Sequence, residues 1–157
     1  MTDREMLRHT LAVLAYRGGK AIRNAPPEFA SFDTGGGTTA LVILAHLGDL
    51  LDWALMHCHG EVKWVSVTVG TWDEGVARFH RSLAALDDYL ASDAPVRQEL
   101  TRLFAGPIAD ALTHVGQLMM LRRMSGSPVL GENYLAADIV TGRVGPEQSP
   151  PVKPFKT

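Results

Sequence analysis

Cysteine is nearly absent from this chain of 157 residues. A single cysteine, Cys58, excludes an internal disulfide and is typical of proteins in a reducing compartment. The chain also lacks an excess of charge of either sign. It has 15 Lys and Arg against 17 Asp and Glu, a formal net charge of −2. This balance gives no electrostatic reason to expect a nucleic acid as partner.

Long uninterrupted apolar runs are missing as well. The longest, Leu11 to Tyr16 and Ala40 to Ala45, are far shorter than the roughly 20 residues that cross a bilayer. The polar start, Met1 to Glu5, is unlike a signal peptide. Apolar residues make up 46% and charged residues 20%, both close to globular averages. We therefore expect a soluble, cytoplasmic protein of one domain, without a membrane partner.

Apolar residues recur at helical spacing along most of the chain, and this periodicity predicts helices. Thr38 is a candidate N-cap for the second helix, and Gly18 and Gly19 predict a bend or a tight contact in the first. Gly106-Pro107 is expected to end a short helix and start the last one. The predicted helices cover residues 3–23, 39–56, 71–91, 96–104 and 107–124.

Four long helical patterns with short connections and no sheet predict an all-α four-helix bundle over residues 1–130. Residues 60–70 have β-propensity, but one lone strand cannot stabilise itself, so an extended connector is expected. Glycine and proline exclude a long helix after residue 130. Residues 131–157 are expected to form an irregular C-terminal tail, packed on the bundle or partly disordered.

A carboxylate and an imidazole four residues apart mark the last helix. Asp110 and His114 are separated by one helical turn, about 6 Å of rise, so both side chains point the same way. Such a pair can bind a divalent ion when a third ligand comes from elsewhere. Taken alone, the pair is also typical of an exposed helix start.

The third ligand has a candidate in the second helix, where His46 lies in the apolar stripe of Val42, Ile43, Leu50 and Trp53. A buried imidazole needs partners. One explanation is a core histidine bonded to a backbone carbonyl or to Asp49. The other is that His46 faces the last helix across the interior, as metal ligands in bundles do.

Two segments resemble the DinB/YfiT-like proteins. Ile43 to Leu50 (ILAHLGDL) is similar to their second-helix histidine segment. Thr113 to Leu118 (THVGQL), followed by Leu121-Arg122-Arg123 and Gly126-Ser127-Pro128, is similar to their last-helix pattern H-x-G-Q…LRR…G-x-P. The likeness covers about residues 3–130 and implies a four-helix bundle with a divalent metal in a three-histidine pocket. Members of the wider superfamily are transferases or isomerases that use low-molecular-weight bacterial thiols.

One ligand departs from that pattern. The family usually has His-x-x-x-His on its last helix, and this chain has Asp110 where the first histidine would stand. A set of two histidines and one carboxylate is chemically acceptable for a divalent metal, here zinc or nickel. The substitution is equally compatible with a metal site that has been lost. Asp49 and Gln117 are candidates to lie behind the ligands and orient them.

Two functions follow as alternatives. The first is a metal-dependent enzyme, a hydrolase or a thiol S-transferase, that activates water or a small thiol at the ion. The second is a non-catalytic bundle with a vestigial metal pocket that acts as a small-ligand-binding or stress-related dimer. A homodimer is expected because Gly48 and Gly116 mark faces for close helix packing. Arg122 and Arg123 either bind an anionic substrate or pair with surface carboxylates, the latter being the commoner arrangement.

Overall fold

The computed structural model of the protein describes residues 1–156. Within that range the regular structure is helical, with no β-strand and one isolated bridge between Glu132 and Pro154. Four long helices pack around one hydrophobic core, which confirms the predicted all-α four-helix bundle. In chain order the helices are α1 (Asp3–Ile22), α2 (Ala40–His59), α3 (Trp72–Ala91), the single turn α4 (Leu100–Leu103) and α5 (Ala109–Met124).

Threonine hydroxyls fix the start of three helices. The N-cap of α2 is Thr39, whose Oγ1 accepts a hydrogen bond from the Val42 amide at 3.3 Å. The expectation that Thr38 caps this helix is wrong by one residue, because Thr39 is the residue whose hydroxyl reaches a free amide of the first turn. The remaining two helices begin with capping boxes, Thr2 with Glu5 in α1 and Thr71 with Glu74 in α3.

Glycines let α3 approach its neighbours closely. A Cβ atom on Gly18 of α1 would lie 2.6 Å from the ring of Phe79 in α3, which confirms the tight contact expected there. A Cβ on Gly75 of α3 would lie 2.7 Å from Leu44 in α2. Both distances are shorter than real Cβ contacts, so a larger residue would push the helices apart.

The chain remains helical across Gly106-Pro107, so the predicted break is wrong. A π-helical turn, Phe104–Ile108, joins α4 directly to α5. Proline removes an amide donor and crowds the preceding turn of a regular α-helix. The wider π turn interrupts the regular hydrogen-bond ladder at this point, and it therefore accommodates Pro107.

The C-terminal tail is tied to the bundle by buried polar contacts. Glu132 is only 2% exposed, and its Oε1 accepts hydrogen bonds from Tyr16 Oη and Lys20 Nζ of α1, both at 2.7 Å. Val144 is also buried, and its carbonyl lies 3.2 Å from His80 Nδ1 of α3. These contacts lay residues 132–144 against α1 and α3.

The helix α2 is more apolar than its longest uninterrupted run suggests. An 18-residue window of α2 has a mean hydropathy of 1.4, because the polar residues His46, Asp49 and Asp52 stand singly among apolar ones. By length and composition alone α2 therefore meets the criterion for a membrane span. Half of that window is buried within the bundle, and the core helix of a bundle has the same properties.

Candidate metal centre

Two helices bring the three predicted metal ligands together. His46 lies near the middle of α2, and Asp110 and His114 lie one turn apart near the start of α5, which packs against α2. The distance from His46 Nε2 to Asp110 Oδ2 is 3.8 Å, and from His114 Nε2 to the same oxygen 3.6 Å. One ligand atom from each residue lies within 4.8 Å of the others, so the group could hold a metal ion.

The spacing of these atoms fits a shared divalent ion. Two atoms that each bind a tetrahedral zinc ion at about 2.1 Å lie about 3.4 Å apart. Both separations from Asp110 Oδ2 are within a few tenths of an ångström of that value. The Asp110 side chain is 49% exposed, so it has room to rotate onto an ion. The donor set of two imidazoles and one carboxylate suits zinc and other first-row divalent metals.

His46 makes no hydrogen bond to any residue that the structure describes. Neither of the contacts considered for a core histidine, a backbone carbonyl or Asp49, is present. The ring packs against Trp64 and His114 with centroid distances of 5.6 and 4.7 Å. Its side chain is 34% exposed, so water or an ion can reach the nitrogen that faces Asp110.

Gln117 orients the second imidazole. Its Oε1 lies 2.8 Å from His114 Nδ1. A carbonyl oxygen can only accept, so Nδ1 carries the proton and Nε2, the atom that faces Asp110, keeps its lone pair. Metal-binding histidines in proteins are usually fixed by this kind of contact. Gln117 therefore contacts one of the predicted ligands, and its role in orienting a metal ligand stays a prediction.

Asp49 is engaged elsewhere. Its Oδ1 accepts a hydrogen bond from the Val67 amide at 3.0 Å and lies 2.8 Å from Arg78 Nη2. Arg78 also binds Asp52 Oδ2 at 2.7 Å and the Ala45 carbonyl at 3.1 Å. No hydrogen bond joins Asp49 to His46 in the described chain, and the Asp49 carboxylate instead connects α2 to α3 and to the connector that follows α2.

A cavity of about 450 Å³ is lined by His46 and His114, two of the three predicted ligands; Asp110 is not among its lining residues. Gln117 also lines it, and most of the surface of its wall is apolar, with aliphatic side chains contributed by α2 and the connector. The connector's part in this wall was not predicted from the sequence. The alternation of Val65, Val67 and Val69 was the available signal, since it predicts an extended segment with one apolar face. The other lining residues are Thr38, Leu41, Val42, Ile43, Ala45, Asp49, Ser66 and Thr68.

The neighbouring residues His57, Cys58 and His59 do not converge on a common point. Cys58 is buried in the core, where burial raises the pKa of its thiol to about 11. The His57 ring packs on Trp53 at 4.8 Å, and the His59 ring packs on Tyr89 at 4.5 Å. Adjacent helical residues point in different directions, so this cluster is not a second metal site.

Comparison with family models, with curated proteins and with solved structures gave no match. The likeness to the DinB/YfiT-like proteins therefore rests on the residues quoted above and stays a prediction.

Proposed function

We propose that this protein is a metal-dependent enzyme of the DinB/YfiT-like kind, a hydrolase or a thiol S-transferase. The observation that carries the proposal is the convergence of His46, Asp110 and His114, whose ligand atoms lie within 4.8 Å of one another. The two histidines also line a cavity. Three protein ligands are the number found in catalytic zinc sites, where a further position is left for water or substrate.

Each residue of the group has a defined part in this proposal. His46, Asp110 and His114 hold a divalent ion, zinc or nickel, and Gln117 keeps His114 in the tautomer that can bind it. Such an ion lowers the pKa of a water or a small thiol that it binds and so supplies a nucleophile at neutral pH. The aliphatic side chains of the cavity would contact the remainder of the substrate.

The ionisable groups around the cavity support metal activation over a separate general base. Besides the two histidines, the described residues that line the cavity include one ionisable side chain, Asp49. Its carboxylate is paired with Arg78 at 2.8 Å and is buried. This carboxylate is engaged in the contact between α2 and α3, so we do not assign it the role of a general base.

A second candidate is a non-catalytic bundle with a vestigial metal pocket that binds a small apolar ligand. Two observations favour it. Asp110 stands where the family resemblance implies a histidine, and this carboxylate is about half-exposed. The cavity that the two histidines line is largely aliphatic, which is typical of small-ligand sites with or without a metal.

Elemental analysis separates the two candidates. The protein is purified without an affinity tag, supplemented with zinc or nickel, desalted and analysed for bound metal and for thermal unfolding with and without chelator. The enzyme proposal expects close to one ion per chain and a lower melting temperature after chelation. Absence of metal after supplementation, with a melting curve indifferent to chelator, supports the vestigial pocket.

We also propose a homodimer in the cytoplasm. Of the two glycines that suggested it, Gly48 lies against Arg78 of the same chain, and a Cβ there would lie 2.9 Å from the guanidinium. Gly116 has nothing within 4 Å of its Cβ position and is exposed, so the close approach of a second chain would involve this face of α5. Light scattering that gives the monomer mass at micromolar concentration would contradict the dimer.

A further inference from the structure

A second cavity, of about 510 Å³, lies at the C-terminal end of α1 and is separate from the metal centre. It shares no lining residue with the cavity beside His46. One wall comes from the end of α1 and from α5, and the other from residues 128–130 and 148–151 of the tail. Three cationic side chains line it: Lys20, Arg23 and Arg122.

Arg122 is a buried charge without a carboxylate partner. It is 6% exposed, so the surface pairing expected from the sequence is wrong. Its guanidinium donates to neutral oxygens only: the carbonyls of Ala21 at 3.0 Å, Arg23 at 3.1 Å and Asn24 at 3.4 Å, and Ser127. These contacts use four of its five N–H groups, which leaves one N–H on Nη2 without a partner among them, and Arg122 lines the cavity.

The neighbouring charged side chains do not neutralise the charge of Arg122. Lys20 is paired with Glu132 at 2.7 Å, and this pair contributes no net charge. Arg23 is exposed and has no acidic partner among residues 1–156. Two guanidinium charges therefore remain at one cavity. The carbonyls at the end of α1 offset part of the Arg122 charge, but burial still lowers its pKa because no anion opposes the loss of water.

We propose that this cavity is a binding site for a small oxyanion, a phosphate or a carboxylate group. The remaining N–H of Arg122 and the guanidinium of Arg23 are its donors, since arginine presents several N–H groups in a planar fork that matches two oxygens of such an anion. A purely structural role for Arg122 accounts for its bonds to the helix end. It does not account for an unpaired Arg23 at the mouth of a cavity beside it.

The test uses Arg23, because removing Arg122 would release the end of α1 and could unfold the chain. Inorganic phosphate and acetate are each titrated at constant ionic strength, with chloride as the balancing salt, and followed by calorimetry and thermal unfolding. We expect saturable binding of at least one anion and a loss of about tenfold in affinity for Arg23→Gln. Arg81→Gln removes an exposed arginine of α3 that has no acidic partner in the described chain, and it should bind like the parent.

Every outcome decides the proposal. Binding of phosphate alone, or of acetate alone, supports the site and names the ligand class, provided that Arg23→Gln weakens it and Arg81→Gln does not. No saturable response to either anion overturns the site. An equal response in the parent and in Arg23→Gln, or an equal loss in both variants, also overturns it, because the anion would then act on the general charge of the protein. This test does not depend on metal at His46.

Discussion

Two polar groups of α2, separated by less than one turn, have opposite surroundings. Asp49 is buried and its Oδ1 is paired with Arg78 at 2.8 Å and with the Val67 amide at 3.0 Å. His46 lies three residues earlier, is about one-third exposed, and makes no hydrogen bond to any described residue. The nearest charged group is Asp110, at 3.8 Å.

The fold explains why Asp49 is paired, but it does not explain why His46 has no hydrogen-bond partner. A buried carboxylate is tolerated only when it is paired, and Gly48 leaves the space in which the Arg78 guanidinium reaches Asp49. No comparable arrangement supports His46. Side chains that are satisfied by the chain serve stability, whereas an unpartnered imidazole beside another imidazole and a carboxylate is typical of a ligand site.

The largest effect on stability is expected at the buried ion pair of Arg78 and Asp49. Arg78→Met should lower the free energy of unfolding by about 3–5 kcal/mol, because it leaves the Asp49 carboxylate buried without its counter-ion. Denaturant unfolding measures the change. Arg102→Ala is the matched control: its partner Glu99 and Arg102 itself are both at least 70% exposed, so the loss should stay below about 1 kcal/mol. Equal effects of the two variants would contradict a structural role for the buried pair.

Substitution of His46 should have the opposite result, with a large effect on metal binding and a small effect on stability. His46→Ala removes one of three metal ligands. We expect zinc affinity to fall by more than about 100-fold, since losing a group that only orients a ligand already costs about 10- to 100-fold. The metal-free protein should lose less than about 1 kcal/mol of stability, because the ring makes no hydrogen bond.

Metal titration and denaturant unfolding in chelator measure these two quantities separately. His59→Ala, which removes an exposed histidine at the end of α2, should change neither. A loss of about 1–3 kcal/mol in His46→Ala with unchanged metal content would instead identify His46 as a structural core residue.

Substitutions of Asp110 test whether an aspartate at this position, instead of the histidine that the resemblance implies, has abolished metal binding. Asp110→His should retain or strengthen the binding of zinc and nickel, since imidazole suits both ions. Asp110→Ala should bind less tightly than the parent but better than His46→Ala, because the exposed carboxylate holds the ion less firmly than the imidazole does. Asp73→His, on the exposed first turn of α3, should leave affinity unchanged. Tighter binding by Asp110→Ala than by the parent would contradict a ligand role for Asp110.

Hydrophobic periodicity was sufficient to predict the long helices. It was insufficient to predict contacts between residues that are distant in sequence. The apolar stripes predicted all four long helices. The position of His46 within such a stripe left two explanations open, a core histidine and a residue that faces α5. The partner of Asp49 could not be inferred, because Arg78 is on another helix and the approach depends on Gly48. The burial of Arg122 was missed for the same reason: its partners Ala21 and Arg23 end a helix about 100 residues earlier.

Local backbone detail was the other source of error. Thr38 and Thr39 are chemically alike as caps, and only the path of the preceding loop decides which hydroxyl meets the free amides. The rule that proline ends a helix failed at Pro107 because a π turn preserves the helical path. Neither alternative has a distinct signature in the periodicity of the chain.

The smallest expected effect concerns Gln117, which touches a proposed ligand without being one. Gln117→Leu removes the oxygen that holds the proton of His114 on Nδ1. The imidazole is then free to adopt the tautomer whose proton lies on Nε2, and zinc affinity should fall about tenfold. Gln117 is exposed, so stability without metal should not change. Gln117→Glu keeps an acceptor at the same place and should restore the affinity, whereas a Gln117→Leu protein that binds zinc like the parent would show that His114 needs no such support.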